Sequence, residues 1–592
     1  MQPSLDPAAL FARAQQAFAA GRFDAARTDL LQVRRLAAPH PAVLHLLALV
    51  ERRRGDLQAA RAAFEAALAA APNDATIHGN FANFHADCGD HDAALSAYAK
   101  ALAADPSHHE ARFNRALLLQ TLGRFEDALA DLDAAAAAFR RDARLHSARG
   151  SVLRDLGRLG EAAAAYDAAL AAEPNRALAA YGRARVAMER GEGAAPALYR
   201  RAAALRPGDP QILLDLAEAM EMQGDPDAIP TLAAAVAAQP GWAQGQKVLA
   251  RMRWEAGEGR AFTRTLEAAL AAAPGDRALW LAYASALGEA DLHREAADAA
   301  ARARASLGRD DDPEFMLLEA MRASEAGETA RADRLFAALP EMPARSLTEA
   351  RHRLRTGDVA HAAALAEAAR AEAPWDVGAW AITGIAWRLL GDSRAGWLLE
   401  QPGLFGAEAL ALDEAALIQI AERLRSLHRT RAHPIGQSLR GGTQTRGALF
   451  AREEPEIRRL RAAVEQAVHH YWERLPPADP AHPLLRLRSR RPRITGSWSV
   501  RLTGGGFHVA HFHSQGALSS ACYFVVPAPQ ALMEGWLELG GAPSELGLGL
   551  EPLARVEPVP GRIALFPSYL FHGTRPFSAG ERLTAAFDVV AE

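Results

Sequence analysis

The stretch Gly89-Asp-His-Asp-Ala-Ala-Leu-Ser-Ala-Tyr-Ala-Lys-Ala-Leu-Ala-Ala-Asp-Pro106 decides the fold of the first two thirds of the chain. Its glycine, its small residues and its proline recur at intervals of 34 residues. Glycine permits the turn that ends one helix, alanine lets two helices approach closely, and proline stops the next helix. The spacing therefore predicts repeated pairs of helices. The glycines that carry the period are Gly21, Gly55, Gly89, Gly123, Gly157 and Gly191, followed at steps of 33 by Gly224 and Gly257.

This period resembles the tetratricopeptide repeat, a helix–turn–helix unit. The phase weakens after residue 285 and returns at Gly357 and Gly391, again 34 residues apart. We expect about eleven or twelve helical pairs over residues 5–408, stacked as an all-α superhelix with a long concave face. Arrays of this kind usually bind extended segments, so the resemblance implies a protein or peptide partner.

Amino-acid composition and charge argue against several other classes of protein. A net charge of −4 with mixed signs gives no basic footprint for nucleic acid. The two cysteines, Cys88 and Cys522, exclude a disulfide scaffold, and no apolar run is long enough to predict a membrane span. We therefore expect a cytoplasmic protein that binds neither nucleic acid nor membrane. One Arg-dense run is either a solvated face or an electrostatic guide for an acidic substrate. It comprises Arg486, Arg488, Arg490, Arg491 and Arg493.

The last third of the chain changes from helical spacing to short β-prone runs. Residues 409–435 are predicted as a helical linker, and residues 436–592 as a small antiparallel jelly roll, a double-stranded β-helix. Within the roll, residues 436–445 are interpreted as a loop, and one amphipathic helix around residues 457–471 supports the sheet. About eight short strands fit the remainder. The clearest are residues 494–502, 518–526, 535–539, 562–566 and 582–590.

Three histidines near the end of the chain form a candidate metal site. In an extended strand, the period of two puts His511 and His513 on one face and Phe512 on the other, toward the core. His508 has the opposite parity and is interpreted as a bystander. His572 follows a predicted strand, so three imidazoles can meet across the mouth of the roll. Imidazole suits iron, copper, nickel or zinc, and an open coordination position suits oxygen chemistry.

An arginine follows ten positions after the last of these histidines. The alternation of residues 582–587 sends Arg582 and Thr584 inward, while the apolar residues between them face the other side. A planar guanidinium binds a carboxylate through two hydrogen bonds, and a neighbouring hydroxyl adds another. The pattern predicts an anion site about one strand deeper than the metal.

From residue 441 onward the chain resembles bacterial 2-oxoglutarate- and Fe(II)-dependent oxygenases, which often carry tetratricopeptide repeats in front. The resemblance implies a dioxygenase that uses Fe(II), 2-oxoglutarate and O2. It also implies that His511, His513 and His572 bind the iron. The matching segments are residues 441–445, 496–500, 505–513, 519–523, 565–568 and 581–587.

The same resemblance implies roles for three further residues. Arg582 would bind the distal carboxylate of 2-oxoglutarate, helped by Thr584 and Tyr523. Together with the repeats, it implies an enzyme that hydroxylates a protein or peptide side chain recruited by the repeat array.

The chain departs from the wider superfamily at one iron ligand. The usual motif is His-x-Asp or His-x-Glu with a distal histidine, and here the acidic position is His513. No Asp or Glu occurs between Asp479 and Glu534. The site therefore has three histidines, or two histidines and a water, or Glu534 as a ligand from farther along the chain. Our hypothesis is that His513 binds the iron.

Two other functions compete with the oxygenase. The first is a three-histidine cupin-like metal dioxygenase that does not use 2-oxoglutarate, in which an inward Arg582 would have no dicarboxylate to bind. The second is a repeat scaffold that carries an inactive oxygenase domain. The order of the three histidines and Arg582 argues against the scaffold.

Overall fold

The glycines that set the sequence period end the first helix of each pair. A computed structural model describes residues 6–528 and 531–592, and between residues 7 and 399 it contains 24 α-helices in succession. At Gly55, φ is 83°, in the left-handed region that other residues rarely adopt. The Asp56 carboxylate then accepts a hydrogen bond from the Ala59 amide at 3.0 Å, which caps the next helix. The twelve helical pairs agree with the predicted number.

Most of these helices have 13 or 14 residues, and one short 3₁₀ segment, Gly259–Thr263, precedes α16. They are α1 (Pro7–Ala19), α2 (Phe23–Leu36), α3 (Pro41–Arg54), α4 (Leu57–Ala70), α5 (Ala75–Asp87), α6 (His91–Ala104), α7 (His109–Thr121), α8 (Phe125–Ala138), α9 (Ala143–Asp155), α10 (Leu159–Ala172), α11 (Ala177–Glu189), α12 (Ala195–Leu205), α13 (Pro210–Gln223), α14 (Ala228–Ala238), α15 (Ala243–Glu255), α16 (Arg264–Ala272), α17 (Arg277–Glu289), α18 (His293–Leu307), α19 (Pro313–Glu325), α20 (Thr329–Ala338), α21 (Pro343–Arg355), α22 (Val359–Glu372), α23 (Val377–Leu390) and α24 (Arg394–Leu399).

Small and large residues of the period pack as their spacing predicts. Ala60 and Ala67 of α4 are fully buried, so α3 and α4 approach closely. Phe64, between them, is also fully buried, and its ring stacks on Phe81 of the next pair at 5.2 Å between centroids. The large residue of each repeat therefore fills the gap to its neighbour.

The chain falls into two compact units, one ending at Val186 and one running from Ala187 to Glu592. In the second unit, the last repeat helices and the β-domain share one hydrophobic core, which includes Trp380 and Leu398 from the helices and Phe566 from a strand. None of the helices in the described ranges has both the length and the apolar character that a membrane span needs.

The β-domain is an antiparallel sheet that curls into a barrel-like jelly roll, as the sequence predicts. Two helices, α25 (Glu414–Leu427) and α26 (Pro455–Glu473), pack against it. Its strand order is β1-β7-β4-β9-β3-β8-β5-β6, and β2 also pairs with β3. The strands are β1 (Gly406–Ala409), β2 (Leu439–Gln444), β3 (Pro492–His511), β4 (Leu518–Val525), β5 (Leu537–Leu539), β6 (Ala554–Val556), β7 (Arg562–Pro567), β8 (His572–Thr574) and β9 (Glu581–Ala591).

The long strand β3 joins the two halves of the roll. Its first part, through Thr503, pairs with β9, and its last part pairs with β8. Leu502 lies opposite Arg582 in the first part, and His511 lies opposite His572 in the second. One strand therefore brings the predicted metal and anion residues into the same domain.

Two secondary-structure predictions in this domain were wrong. Residues 436–445 are not a loop throughout, because they contain β2. The glycines that suggested a loop allow two backbones to approach: a Cβ on Gly442 would lie 2.2 Å from the Arg501 carbonyl oxygen. The helix expected from residue 409 begins only at Glu414, after β1, which pairs with β7.

Candidate metal centre

Three imidazoles meet where β3 ends and β8 begins. His511 is the last residue of β3, His572 is the first of β8, and His513 follows two residues after His511. One ligand atom from each lies within 4.8 Å of the others, and the Nε2 atoms of His511 and His513 are 3.2 Å apart. Two imidazoles at about 2.1 Å from one ion, at tetrahedral or octahedral angles, place their nitrogens about 3.0–3.4 Å apart. The observed spacing fits two ligands of one metal ion.

Hydrogen bonds to the far nitrogen of each ring set the direction in which the near nitrogen points. His511 Nδ1 donates to the Val509 carbonyl at 2.9 Å, and His572 Nδ1 donates to the Leu570 carbonyl at 3.1 Å. Nδ1 of the third ring, His513, lies 2.5 Å from a carboxylate oxygen. With all three Nδ1 atoms bound to oxygen acceptors, the three Nε2 atoms carry the lone pairs that could bind a metal. Metal-binding histidines typically have such partners.

Burial keeps His511 and His572 in the neutral form that binds metals. It lowers the pKa of His511 to about 4, helped by the nearby charge of His513. Burial also holds the pKa of His572 well below its usual value. Aromatic rings pack beside the histidines. The ring centroids of Phe566 and His572 are 4.6 Å apart, and those of Trp498 and His513 are 5.6 Å apart. The cluster is therefore available to a cation at neutral pH.

The carboxylate that contacts His513 belongs to Asp588 of β9, which the sequence analysis missed. Asp588 also accepts a hydrogen bond from Ser519 at 3.1 Å, which fixes its orientation. An acidic residue is therefore present at the cluster, and it contacts His513. Strand parity would have revealed it, because residue 588 shares the inward face with Arg582 and Thr584.

His508 lies beside the cluster without being part of it, although strand parity predicts that it faces the other side. The pairing of β3 with β8 shifts between His508 and His511, so two residues of β3, Val509 and Ala510, lie opposite the single residue Gly573 of β8. Such a bulge reverses parity and brings the two rings to the same side, 5.7 Å apart. The Ser438 hydroxyl lies 3.0 Å from His508 Nδ1 and 3.2 Å from His511 Nε2. Ser438 was also missed, because its segment was assigned to a loop.

Arg582 lies in the same interior as a buried cation without an acidic partner. The residue is 2% exposed, and among the described residues its Nε has no hydrogen-bond partner. Burial lowers its pKa, an effect that Tyr523 opposes and no carboxylate does. Its charge is also one of the causes that lower the pKa of His508, so it lies on the side of the metal cluster. An unpaired buried charge is costly, and an anion would relieve that cost.

Tyr523 and Thr584 lie close to Arg582 on the neighbouring strands β4 and β9. Tyr523 is fully buried, and the Arg582 guanidinium carbon lies 5.1 Å from the centre of its ring. Thr584 is paired with Tyr523 across β4 and β9. Glu534 lies outside the histidine cluster, and its carboxylate accepts a hydrogen bond from Ser578 at 3.0 Å.

Comparison with known families agrees with both resemblances. Residues 496–588 match the family described as "Putative 2OG-Fe(II) oxygenase". Residues 11–75, 82–143, 115–177 and 147–210 match the tetratricopeptide repeat family. The chain therefore carries tetratricopeptide repeats followed by a domain of the oxygenase type, and such repeats generally mediate protein–protein interaction. No curated protein matches this chain.

Among solved structures, the chain is similar to several repeat proteins. A tetratricopeptide repeat protein from Parabacteroides merdae is 21% identical, with a TM-score of 0.33, over 41% of this chain and 97% of that one. YrrB, a repeat protein with an unusual peptide-binding site, is 20% identical, with a TM-score of 0.29, over 31% and 96%. The C-terminal part of a repeat protein from Cytophaga hutchinsonii is 16% identical, with a TM-score of 0.35, over 40% and 97%.

Proposed function

We propose that residues 436–592 form a 2-oxoglutarate- and Fe(II)-dependent dioxygenase domain that hydroxylates a protein or peptide side chain. In this proposal His511, His513 and His572 bind the iron, and Arg582 binds the distal carboxylate of 2-oxoglutarate. The observation that carries the proposal is the buried, unpaired guanidinium beside three convergent imidazoles. A dicarboxylate has one end for each: its 2-oxo acid end chelates a metal, and its far carboxylate pairs with arginine.

Each residue has a distinct part in the chemistry. Bound Fe(II), with 2-oxoglutarate and O2, supplies oxidising power to hydroxylate a C–H bond. The carbonyl groups of Val509 and Leu570 hold two imidazoles in place before iron arrives. Asp588 supplies negative charge through His513, where a carboxylate ligand would have supplied it directly. The surrounding aromatic rings keep bulk water away from the reacting atoms.

Tyr523 and Thr584 orient the cosubstrate. The Tyr523 ring lies against the Arg582 guanidinium and restricts its rotation, so the two nitrogens that pair with a carboxylate point in one direction. Thr584 adds a hydroxyl on the same inward face of β9. The buried position of all three excludes water that would compete for the carboxylate.

The repeat helices of the second unit support a protein substrate. Phe512, between two of the iron ligands, packs against α23, and a Cβ on Gly378 would lie 3.3 Å from its ring. A segment bound along these helices would therefore lie near the strand end that carries the metal ligands. We propose that the array delivers the side chain to be hydroxylated.

Anaerobic spectroscopy tests the oxygenase without a known substrate. Fe(II) and then 2-oxoglutarate are added to the full chain, and the visible charge-transfer band of a chelated 2-oxo acid is recorded. We expect the band in the wild type. In Arg582→Met we expect iron binding to persist but 2-oxoglutarate to bind on the order of 100-fold more weakly, because a buried charged pair is lost.

Arg501→Met is the matched control. Arg501 lies on the neighbouring strand, is partly exposed and pairs with Glu581 at 2.6 Å, so its loss should leave the band unchanged. Iron binding with no band in the wild type would contradict the use of 2-oxoglutarate and favour the three-histidine alternative. No iron binding at all would favour a repeat scaffold.

A further inference from the structure

A groove of about 380 Å³ lies beside the segments that carry the metal ligands. Part of its floor is residues 514–517, which directly follow His513, and another part is Tyr569, three residues before His572. Val377 and Trp380, at the start of α23, also line the groove. The remaining lining residues include Pro483, Leu484, Arg486, Leu487 and Arg490. The groove thus lies where a repeat helix meets the loops of the metal centre.

Two of the arginines from the Arg-dense run line this groove. The Arg486 guanidinium carbon lies 4.0 Å from the centre of the Trp375 ring, and its buried Nε has no hydrogen-bond partner. Burial lowers the pKa of Arg486, and the charge of Arg490 lowers it further. Arg486, stacked on the 42% exposed Trp375 and repelled by the charge of Arg490, forms an incomplete electrostatic site.

The groove provides no negative charge to satisfy these cations. None of the described residues that line it is Asp or Glu. Other arginines of the same run are already engaged: Arg493 pairs with Glu592 at 2.7 Å, and Arg488 donates to the Glu473 carbonyl. Within the described part of the chain, no carboxylate opposes the effects of burial and of the Arg490 charge on the pKa of Arg486. The groove therefore combines two arginines with no carboxylate among its described lining residues.

We propose that this groove binds an acidic segment of the protein substrate, with carboxylates on Arg486 and Arg490 and an apolar side chain on Trp375. The proposal rests on the proposed oxygenase function and adds the chemistry of its substrate. The volume lies in the range of ligand-binding pockets, and the walls combine apolar surface with two donors. A nucleic acid would need a longer line of phosphate contacts than two arginines offer.

Binding here would place the acceptor side chain close to the metal. Residues 514–517 line the groove and follow directly after His513 in the chain. A segment held by the two arginines would therefore lie next to the loop that carries His513. The predicted substrate therefore carries acidic residues near the hydroxylated position.

The test uses the full chain and a labelled, end-capped hexaglutamate peptide, with binding followed by fluorescence anisotropy at low ionic strength. We expect binding to the wild type, none for hexaglutamine or hexalysine, and about tenfold weaker binding in Arg486→Gln/Arg490→Gln. Arg490→Glu, at an exposed position, reverses one charge without disturbing a buried contact and should also lose the peptide. The control Arg461→Gln/Arg493→Gln removes two charges from exposed, ion-paired arginines and should bind as the wild type.

Three outcomes would overturn the proposal: no hexaglutamate binding to the wild type, equal binding by the groove variants, or stronger binding of an oligothymidylate than of hexaglutamate. The iron–2-oxoglutarate band recorded on the same samples separates this test from that of the oxygenase. A band without peptide binding rejects the groove and keeps the enzyme. Peptide binding that depends on Arg486 and Arg490 but comes without a band keeps the groove and rejects the enzyme.

Discussion

The two ends of the candidate site are built in opposite ways. At the metal end, each of the three histidines already has a hydrogen-bond partner for its outer nitrogen. At the anion end, Arg582 is more deeply buried but has no acidic partner within the described part of the chain. At the first end the hydrogen bonds that orient the side chains are already formed within the protein, whereas at the second end a positive charge awaits a negative partner.

This difference indicates where the favourable free energy of binding would come from for each ligand. A metal that binds preoriented, neutral imidazoles needs little rearrangement of the protein. A dicarboxylate bound at Arg582 neutralises a charge that the fold has already desolvated, so its pairing is stronger than in water. The two ends therefore respond differently to mutation. Removing a side chain at the metal end should weaken metal binding, whereas removing the charge of Arg582 should stabilise the ligand-free protein.

The largest effect is expected at His513. We predict that His513→Ala lowers the affinity for Fe(II) at least 100-fold, because loss of a ligand should exceed the roughly 10–100-fold typical of an outer partner. Anaerobic iron titration against a competing chelator measures the change. His508→Ala is the matched control, because its Nδ1 faces Ser438, and it should bind iron as the wild type does. Wild-type affinity in His513→Ala would mean that two histidines and a water suffice.

A smaller effect is expected one bond farther out, at Asp588. We predict that Asp588→Asn lowers Fe(II) affinity about tenfold, because the amide oxygen can still accept the His513 hydrogen bond but the charge is lost. The same titration measures it. Ser519→Ala, which removes only the hydroxyl that orients Asp588, should change the affinity less. An unchanged affinity in Asp588→Asn would show that the ligand set does not need this charge.

Sequence patterns predict the parts of this molecule that repeat or alternate regularly. The 34-residue period predicts the helix pairs, since each turn requires the same glycine conformation. The period of two on β9 predicts that Arg582 and Thr584 face inward, and the same alternation puts Asp588 on that face. These patterns depend only on neighbours along the chain.

Features that depend on contacts between distant segments could not be predicted in this way. The bulge in β3 that brings His508 beside His511 arises from pairing with β8, and its own residues carry no distinctive signal. In the sequence alone, Gly442 indicates a loop. In the structure it lies in a strand, because the Arg501 backbone packs too closely for any larger residue. The groove at Trp375 exists because α23 packs near the Arg-dense run, far away in sequence. Tertiary packing decided each of these features.

The smallest effect concerns stability at the anion end. We predict that Arg582→Met raises the free energy of unfolding of the ligand-free β-domain by about 1–3 kcal/mol, because an apolar side chain replaces an unpaired buried charge. The thermal midpoint should rise by roughly 2–4 °C per kcal/mol for a domain of this size.

Scanning calorimetry with and without 2-oxoglutarate separates this explanation from simple repacking. A dicarboxylate at about 100 times its Kd should stabilise the wild type by about 2.7 kcal/mol and the variant hardly at all, so the difference between them closes or reverses. Arg501→Met, which breaks an ion pair with Glu581, should not be stabilised in either condition. If Arg582→Met is instead less stable than the ligand-free wild type, the guanidinium contributes favourable packing that outweighs its desolvation. Both ends of the site would then be complete before any ligand binds.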